Sequence, residues 1–546
     1  MVKKFFFAVF AMAVVLPAAA QDTYESARLL GNDLNGTARY VGMGGAMEAL
    51  GADISTISTN PAGIGLFRHS NVSASFGLVS QQDVSKFDGL DKTNMSFDQA
   101  GFVYSMQMDR SSYINFAFNY HKSRNFDQIL SAANQRIGGA SSNVVTAEKE
   151  NKGYYYIDWN QRQNALIGYN RNDFEAYNFT QHDWLNANVL SDEEIFEDEE
   201  GKYKDLVLYP INADVWSLDR AHRGWISDFD FCFSGNVNDR FYWGITAGLH
   251  DVKYRGYSQY VEGLSFMSGE DAGIVAYGDA RDIDGTGFDI KAGVIFRPIE
   301  ESPFRIGLSV STPTWYDLKT SNVTVLENQS AMGEIVDDNG NVIDYTTDGD
   351  ISNTYEFKYF TPWKFGLSLG HTVGTYLALG ASFEYSDYGA SKNRINDGSH
   401  YDWYWDEYYE DSHTDQNMKR NTEQVMKGVA TVKLGAEFKP VPEMAVRLGY
   451  NYVSAAYDEN GVRDQTIDSY GVYYASTSDY VNWEGTNRLT AGLGFKLGSM
   501  NLDLAYQYSA TNGKLYPFQP DLTGVVKPAS VSNKRHQLLL TLGYTF

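Results

Sequence analysis

The chain has 546 residues and a formal net charge of −25, an acidic balance that disfavours nucleic acid as a partner. After the first twenty residues, no stretch supplies the roughly 18 consecutive apolar residues of a membrane-spanning helix. Aromatic residues make up 15%, with 39 Tyr and 50 Gly against only 12 Pro, which suits strands and tight turns better than a soluble α/β enzyme.

The beginning reads as a secretory leader. Lys3 and Lys4 precede an apolar run, Phe5 to Leu16, and Ala18-Ala19-Ala20 offers a cleavage site, so residues 1–20 are expected to be removed before Gln21. Residues 21–70 do not read as strand. Tyr24 to Leu30 is helix-like, and small residues follow: Gly42, Gly44, Gly45 and Ala46, then Asn60-Pro61-Ala62-Gly63. Small side chains let backbone press against a surrounding wall, and proline with glycine fixes sharp turns, as a plug requires. No strand-turn-helix context turns these glycines into a dinucleotide motif.

From residue 71 onward, alternation with a period of two dominates. Ile114, Phe116 and Phe118 alternate with Asn115, Ala117 and Asn119, and Leu502, Leu504 and Tyr506 with Asp503, Ala505 and Gln507. Pairs of such segments are joined by short turns: Phe102–Met108 with Tyr113–Tyr120, Trp225–Ser234 with Phe241–Tyr257, Phe288–Arg297 with Phe304–Thr312, Trp363–Leu369 with Tyr376–Tyr388, Val429–Phe438 with Met444–Val453, and Leu489–Leu497 with Leu502–Tyr508. An opening strand at Val72–Leu78 and a closing one at His536–Phe546 bring the count to about fourteen, the even number that a single-chain barrel needs.

The expected fold is therefore all-β: a transmembrane antiparallel β-barrel over residues 71–546 with an N-terminal plug in its lumen. A secreted β-sandwich is the other architecture with this alternation, but sandwiches rarely carry apolar-out strands this long. Lipid cannot satisfy polar groups, so the apolar set must face out and the polar set the lumen. That places Asp230, Lys291, Lys364, Glu384, Lys433, Glu437 and Asp503 inside, as partners for one another or contacts for a ligand. Cys232 is the single cysteine and falls on the interior side, where it reads as a small residue. In the last strand, Leu539 is the one apolar residue on the polar side, while Tyr544 and the terminal Phe546 read as the aromatic signal taken up by barrel-assembly machinery.

The other connections are expected to be long loops at residues 79–98, 121–224, 258–287, 319–353, 389–424, 456–486 and 511–534, on the outer side of the membrane. The longest, 121–224, exceeds an ordinary loop and must hold structure or cover the mouth. Its aromatics, Tyr154-Tyr155-Tyr156 and Phe174 to Trp184, resemble those of the segment Tyr401–Tyr409. They suit loop packing, an interfacial girdle or capture of an apolar ligand. The acidic run Asp192–Glu200 reads as a solvated face, with a divalent-cation site as the sharper alternative.

The segments Gly36-Thr37-Ala38-Arg39-Tyr40-Val41-Gly42-Met43-Gly44-Gly45-Ala46 and Ser58-Thr59-Asn60-Pro61-Ala62-Gly63-Ile64 resemble the N-terminal hatch of FadL/TodX-type outer-membrane transporters. Gly287–Pro298, Arg305–Pro313 and Thr361–Leu367 are similar to mid-barrel strands of that family. The resemblance implies a fourteen-stranded plugged barrel that moves long-chain fatty acids or aromatic hydrocarbons inward, with Gly42, Gly44, Gly45, Asn60, Pro61 and Ala62 in the hatch. It also implies sideways exit through a kinked third strand, although Tyr113–Tyr120 contains neither Gly nor Pro to mark a kink.

The function expected is passive uptake of a hydrophobic small molecule across the outer membrane, with membrane lipid and the assembly machinery as the other partners. The alternative is a surface binding or assembly barrel, related to protein-secretion shuttle proteins, whose acidic loops dock a protein. No cofactor, metal or enzyme activity is expected. No Gly-x-Ser-x-Gly or His-Glu-x-x-His motif is present, and the nine histidines have no metal-ligand spacing.

Overall fold

Fourteen antiparallel staves close into one barrel, because the first, β1 (Asn71–Gln81), pairs with the last, β14 (Ala529–Thr545), from Asn71↔Thr545 to Gln81↔Arg535. The structure, a computed structural model, describes residues 21–134, 141–151, 155–160, 165–170, 191–197, 203–209, 212–266, 268–330, 351–402, 404, 407–473, 475, 477–520 and 526–546. The expected leader, Tyr154, Phe174 to Trp184, the end of the acidic run (198–200), and Trp403, Trp405 and Asp406 lie outside the described residues.

Between β1 and β14 the staves run in chain order. They are β2 (Thr93–Asp109), β3 (Ser112–Asn125, continued by Gln128–Asn134), β4 (Asn212–Val237), β5 (Phe241–Ser265) and β6 (Asp271–Phe296). Next come β7 (Arg305–Ser311 and Trp315–Ser330), β8 (Ile351–Phe360 and Lys364–Val373) and β9 (Leu377–Asp387 and Lys392–Asp402). The circuit ends with β10 (Gly428–Val441), β11 (Met444–Val453), β12 (Tyr480–Leu497) and β13 (Met500–Tyr516). Every segment expected to be strand falls largely or wholly within one stave. The interruptions of β7 and β8 sit at Pro313 and Pro362, where a proline cannot donate to the ladder.

The outward face explains why these strands form in lipid. Phe241, Ile245 and Leu249 on β5, Phe231 and Phe233 on β4, and Leu538, Leu542 and Tyr544 on β14 are all exposed, an arrangement stable only against hydrocarbon. On β6 the outward set changes from Ile290 and Phe288 to Thr286, Asp284 and Asp282, which marks the upper edge of the apolar belt. The 25 residues of β5 extend about 80 Å at strand rise, far beyond the hydrocarbon thickness, so the upper barrel stands in water.

That projection corrects the loop boundaries. Much of 258–287 and 319–353 is strand: β5 and β6 are separated only by residues 266–270, and β7 continues to Ser330. Inside 389–424 lie the upper half of β9, a further strand (Glu407–Thr414) that pairs with it, and the helix Gln416–Val425. The 121–224 connection holds the end of β3, the helix Val144–Asn151, two hairpins (Tyr155–Asn160 with Ala165–Asn170, Ser191–Glu197 with Tyr203–Tyr209) and the start of β4. Above the membrane the staves carry mixed polar and apolar residues on both faces, so the strict alternation by which the lower halves are read fades.

Residues before β1 form short helical turns, Thr23–Ser26, Ala27–Leu29, Ala38–Gly42, Ile54–Ser58 and Pro61–Leu66, that pack on the inner face of the wall. Asp22, Thr37, Asp53 and Asn60 cap four of them. A second interior core, higher up, joins Leu130, Val145, Trp216, Leu218, Tyr260 and Phe518 beneath the helix Val144–Asn151.

Candidate functional site: a lumen cavity beside a break in the wall

Side chains of the wall hold the N-terminal segment through its backbone. Thr490 Oγ1 donates to Gly42 O (3.2 Å), Asn451 Nδ2 to Gly44 O (3.3 Å), Thr246 Oγ1 to Ile57 O (3.0 Å) and Asn115 Nδ2 to Ile64 O (2.9 Å), while Thr541 Oγ1 accepts from Ala38 N (2.7 Å). These come from five different staves, so the segment is tied round the circumference. Contact is close enough to require wall glycines. A Cβ on Gly244 would lie 2.5 Å from the Pro61 carbonyl carbon, and one on Gly449 would meet Gly44 N and Met43 C. Gly44 itself has φ +63°, a conformation that favours glycine.

Asn60, Pro61 and Ala62 begin the turn Pro61–Leu66. The Asn60 side chain accepts from Ala62 N (3.1 Å), and all three are buried. Cys232 lies there too, buried with Ile54, Ile57 and Ile64 as a small apolar residue. Leu539, the apparent exception on the polar side of β14, is fully buried against Leu34, Ala38 and Val41. Apolar residues at lumen positions thus mark where the N-terminal segment touches the wall, and that signal was already present in the alternation.

The polar lumen residues gather into three ion clusters. Lys433 Nζ lies 2.7 Å from Glu48 and 2.6 Å from Glu384. Glu437 takes Arg39 (3.0 Å) and Arg447 (2.7 Å), and Arg447 reaches Asp503 (2.6 Å). Lys291 bridges Asp230 (3.0 Å) and Asp289 (2.8 Å). Two clusters therefore join the wall to Arg39 and Glu48 of the N-terminal segment. Sequence reading missed those partners because the segment was read for its small residues. Lys364 adds its charge near Glu384 and lines the cavity. Tyr544 and Phe546 lie at the seam, exposed, with ring centroids 6.2 Å apart.

The cavity measures about 370 Å³ and lies between the start of the chain and the upper lumen. Tyr24, Leu30, Phe126, Tyr254, Tyr385, Tyr388, Met426, Tyr457 and Trp483 give it a broad apolar lining. Its charged lining is mostly cationic: Arg28, Arg124, Arg220, Arg463, Arg488, Arg535, Lys364 and Lys433, against Asp33, Asp98, Glu384, Asp479 and Glu484. Arg220 pairs with Asp479 (2.7 Å), and Arg463 with Asp22 and Glu25. Arg124, Arg488 and Arg535 instead share Asp33. Burial alone would raise the Asp33 carboxyl, but these three guanidiniums hold it below the usual carboxylate range.

One side of this cavity meets a break in the wall. The ladder between β2 and β3 runs from Asp109↔Ser112 to Gln99↔His121 and ends there. Above it, β2 stays paired with β1 as far as Ser80↔Thr93, and β3 stays paired with β4 through Asn125↔Trp225. Among the described residues, Thr93–Asp98 and Lys122–Asn125 have no ladder partner on each other's strand. A register shift between Lys122 and Arg124 turns β3 away. The interruption thus lies just past Tyr113–Tyr120 and uses neither Gly nor Pro, which is why a search for those residues missed it. Asn35 of the N-terminal segment spans the break on the lumen side, donating to Asp98 Oδ1 (2.9 Å) and Lys122 O (3.0 Å). On the lipid side Phe97 stacks on Tyr120, with centroids 5.4 Å apart.

No protein-family model and no curated protein matches the sequence. Among solved structures the chain is similar to the Ralstonia pickettii toluene transporter TbuX, at 11% identity over 94% of this chain and 99% of that one, with a TM-score of 0.45. It is likewise similar to a Pseudomonas aeruginosa FadL homologue (11%, 94% and 99%, TM-score 0.49) and to the P. putida toluene transporter TodX (11%, 94% and 99%, TM-score 0.46). These are proteins of the kind that the N-terminal motifs resemble. The roles of individual residues below rest on this chain's own geometry.

Proposed function

We propose that the chain is an outer-membrane channel for passive uptake of a hydrophobic small molecule with an acidic end, of the long-chain fatty-acid class. Residues 21–70 act as the hatch, seated through Gly42, Gly44 and Gly45 on one side and Asn60, Pro61 and Ala62 on the other. The Lys433 and Glu437 clusters latch it to the wall. The apolar lining of the cavity favours the hydrocarbon portion, at roughly 25 cal/mol per Å² removed from water. Arg124, Arg488 and Arg535, three cations against Asp33 and, beside Arg535, Asp127, favour an acidic end over a neutral hydrocarbon. Exit is sideways, between Thr93–Asp98 and Lys122–Asn125, when Asn35 swings aside. Tyr544 and Phe546 serve recognition by the barrel-assembly machinery.

One observation carries this reading: the wall opens where the chain's own N-terminal segment borders a cavity. Nothing in the described residues favours protein docking by the acidic loops. The test is transport into proteoliposomes holding the full chain, with a labelled long-chain fatty acid and the matching alcohol as probes. Protein-dependent entry of the acid, slowed about tenfold by Asn35→Trp, is expected. Entry that Asn35→Trp leaves unchanged would discard the sideways route. No entry above that into empty vesicles would discard transport itself.

A further inference from the structure

We propose that His121, Asp228 and Asp230 form a site for one divalent cation of the Zn²⁺ type at the foot of the break between β2 and β3. The three residues come from β3 and β4, are all buried, and each offers a ligand atom within 4.8 Å of the other two. His121 Nδ1 lies 3.6 Å from Asp230 Oδ2, and His121 Nε2 lies 3.6 Å from Asp228 Oδ2. Those separations exceed a hydrogen bond. One cation takes a single ring nitrogen, and at Nδ1 the separation from Asp230 Oδ2 is close to the edge of a tetrahedral shell, about 3.4 Å when metal–ligand bonds are about 2.0–2.2 Å long.

A second observation points to a ligand rather than an ordinary polar cluster. Two of the facing atoms, His121 Nδ1 and Asp230 Oδ2, are buried without a hydrogen-bond partner. His121 and Asp230 are only 5% and 0% exposed. The remaining capacity of the cluster is spent elsewhere. Asp230 Oδ1 accepts from Lys291 Nζ (3.0 Å). Asp228 Oδ1 accepts from Ser123 Oγ (2.8 Å) and lies 2.7 Å from His250 Nδ1. Each carboxylate therefore keeps one oxygen turned towards His121 while the other is anchored, as outer partners orient metal ligands.

Charge agrees. Three carboxylates, Asp228, Asp230 and Asp289, converge on one lysine, Lys291, and on His121 and His250, an anionic surround suited to a cation at His121. Imidazole with carboxylates suits Zn²⁺ better than Ca²⁺ or Mg²⁺. His121 also lines the lumen cavity, which supplies an entry path. Because Gln99↔His121 is the last rung of the β2–β3 ladder, a bound cation would fasten β3 to β4 where the wall begins to part.

This site is independent of what the channel carries, and its test uses no transport. Full-length protein in detergent is stripped with EDTA, loaded with Zn²⁺, dialysed, and assayed for bound metal by mass spectrometry. X-ray absorption at the zinc edge reports the ligands. About one Zn²⁺ per chain, with imidazole scattering in the absorption spectrum, is expected. His121→Asn and Asp230→Asn should each weaken retention more than about tenfold, whereas His413→Asn, on the exposed strand Glu407–Thr414, should leave it unchanged. Heat-modifiable migration checks that each variant is a folded barrel. Where a variant fails to fold, the spectrum of the unaltered protein decides. Loading far below one per chain, a spectrum without imidazole, or full retention by folded His121→Asn would overturn the proposal.

Discussion

Two neighbouring seams of one wall are held in different ways. Between β14 and β1 the ladder is unbroken from Asn71↔Thr545 to Gln81↔Arg535, and this continuous backbone pairing is reinforced by side-chain hydrogen bonds from Asn71 to Thr545 and between Ser75 and Thr541. Between β2 and β3 the ladder stops at Gln99↔His121, and side chains close the remaining height: Asn35 inside, Phe97 on Tyr120 outside and, higher up, Gln81 of β1 on the backbone of Ile129 and Arg535 of β14 on Asn125 O and Asp127 O. A backbone ladder is cooperative and gives way as a unit, whereas a few side-chain contacts can part while the barrel stays whole. The difference teaches that this wall has one seam built to stay shut and another whose closure is delegated to side chains, that of Asn35 in the N-terminal segment among them.

The comparison can be broken by unseating that segment. Lys433→Met should have the largest effect, because Glu48 would remain buried, and Glu384 half-buried, without the ammonium that bridges them, at a cost of about 3–5 kcal/mol. A thermal melt that does not move would mean that those carboxylates find another partner. Gly449→Val comes next: its side chain would meet backbone of Met43 and Gly44, which cannot rotate away, costing about 1–3 kcal/mol. Amide exchange should then rise in Thr93–Asp98 and Lys122–Asn125 while Asn71–Gln81 keeps its protection. Equal loss at both seams would show that they are not held differently.

Asn35→Leu sharpens the contrast further. It removes both Asn35 hydrogen bonds across the break but leaves the ladders intact, so about 1–2 kcal/mol of local closure should be lost with little change in barrel melting. Cross-linking of a lipid-facing probe at Phe97 to lumen residues would detect the opening.

The smallest effect lies well above both seams. In the water-exposed part of β5, burial raises Glu262 to about 7, despite hydrogen bonds from Tyr260 Oη and from Ser142 N and Oγ that work against the rise. Its folded value exceeds the ordinary one of 4.5, so the stability it contributes is complete below that pH and is lost as pH climbs through about 7. Protection of the amides from Ser142 through the helix Val144–Asn151 should therefore fall over that window, and Glu262→Gln should flatten the dependence. A flat profile in the unaltered protein would mean that Glu262 does not seat the helix.

Much of this could be read from residue order. The belt is legible because lipid leaves a strand only one choice of outward face, so Phe231, Phe233 and Cys232 sort themselves by period two. Loop limits were less legible. Above the membrane, water faces the outside too, and Asp282 and Asp284 stand where apolar residues stood lower down, so β6 looked like a loop over half its length. The N-terminal motif named the residues that press on the wall. It did not name Arg39 and Glu48 as ion partners, since the carboxylates and cations that meet them lie hundreds of positions away.

The sequence by itself determined a fourteen-stave wall, its apolar outward face and a small-residue segment ahead of it, because each follows from local spacing and the demands of hydrocarbon. Only the tertiary structure decided where the wall parts, which cations remain around Asp33, and that His121 stands against Asp228 and Asp230. Those facts depend on closure of a ring, which brings together residues that no local pattern relates.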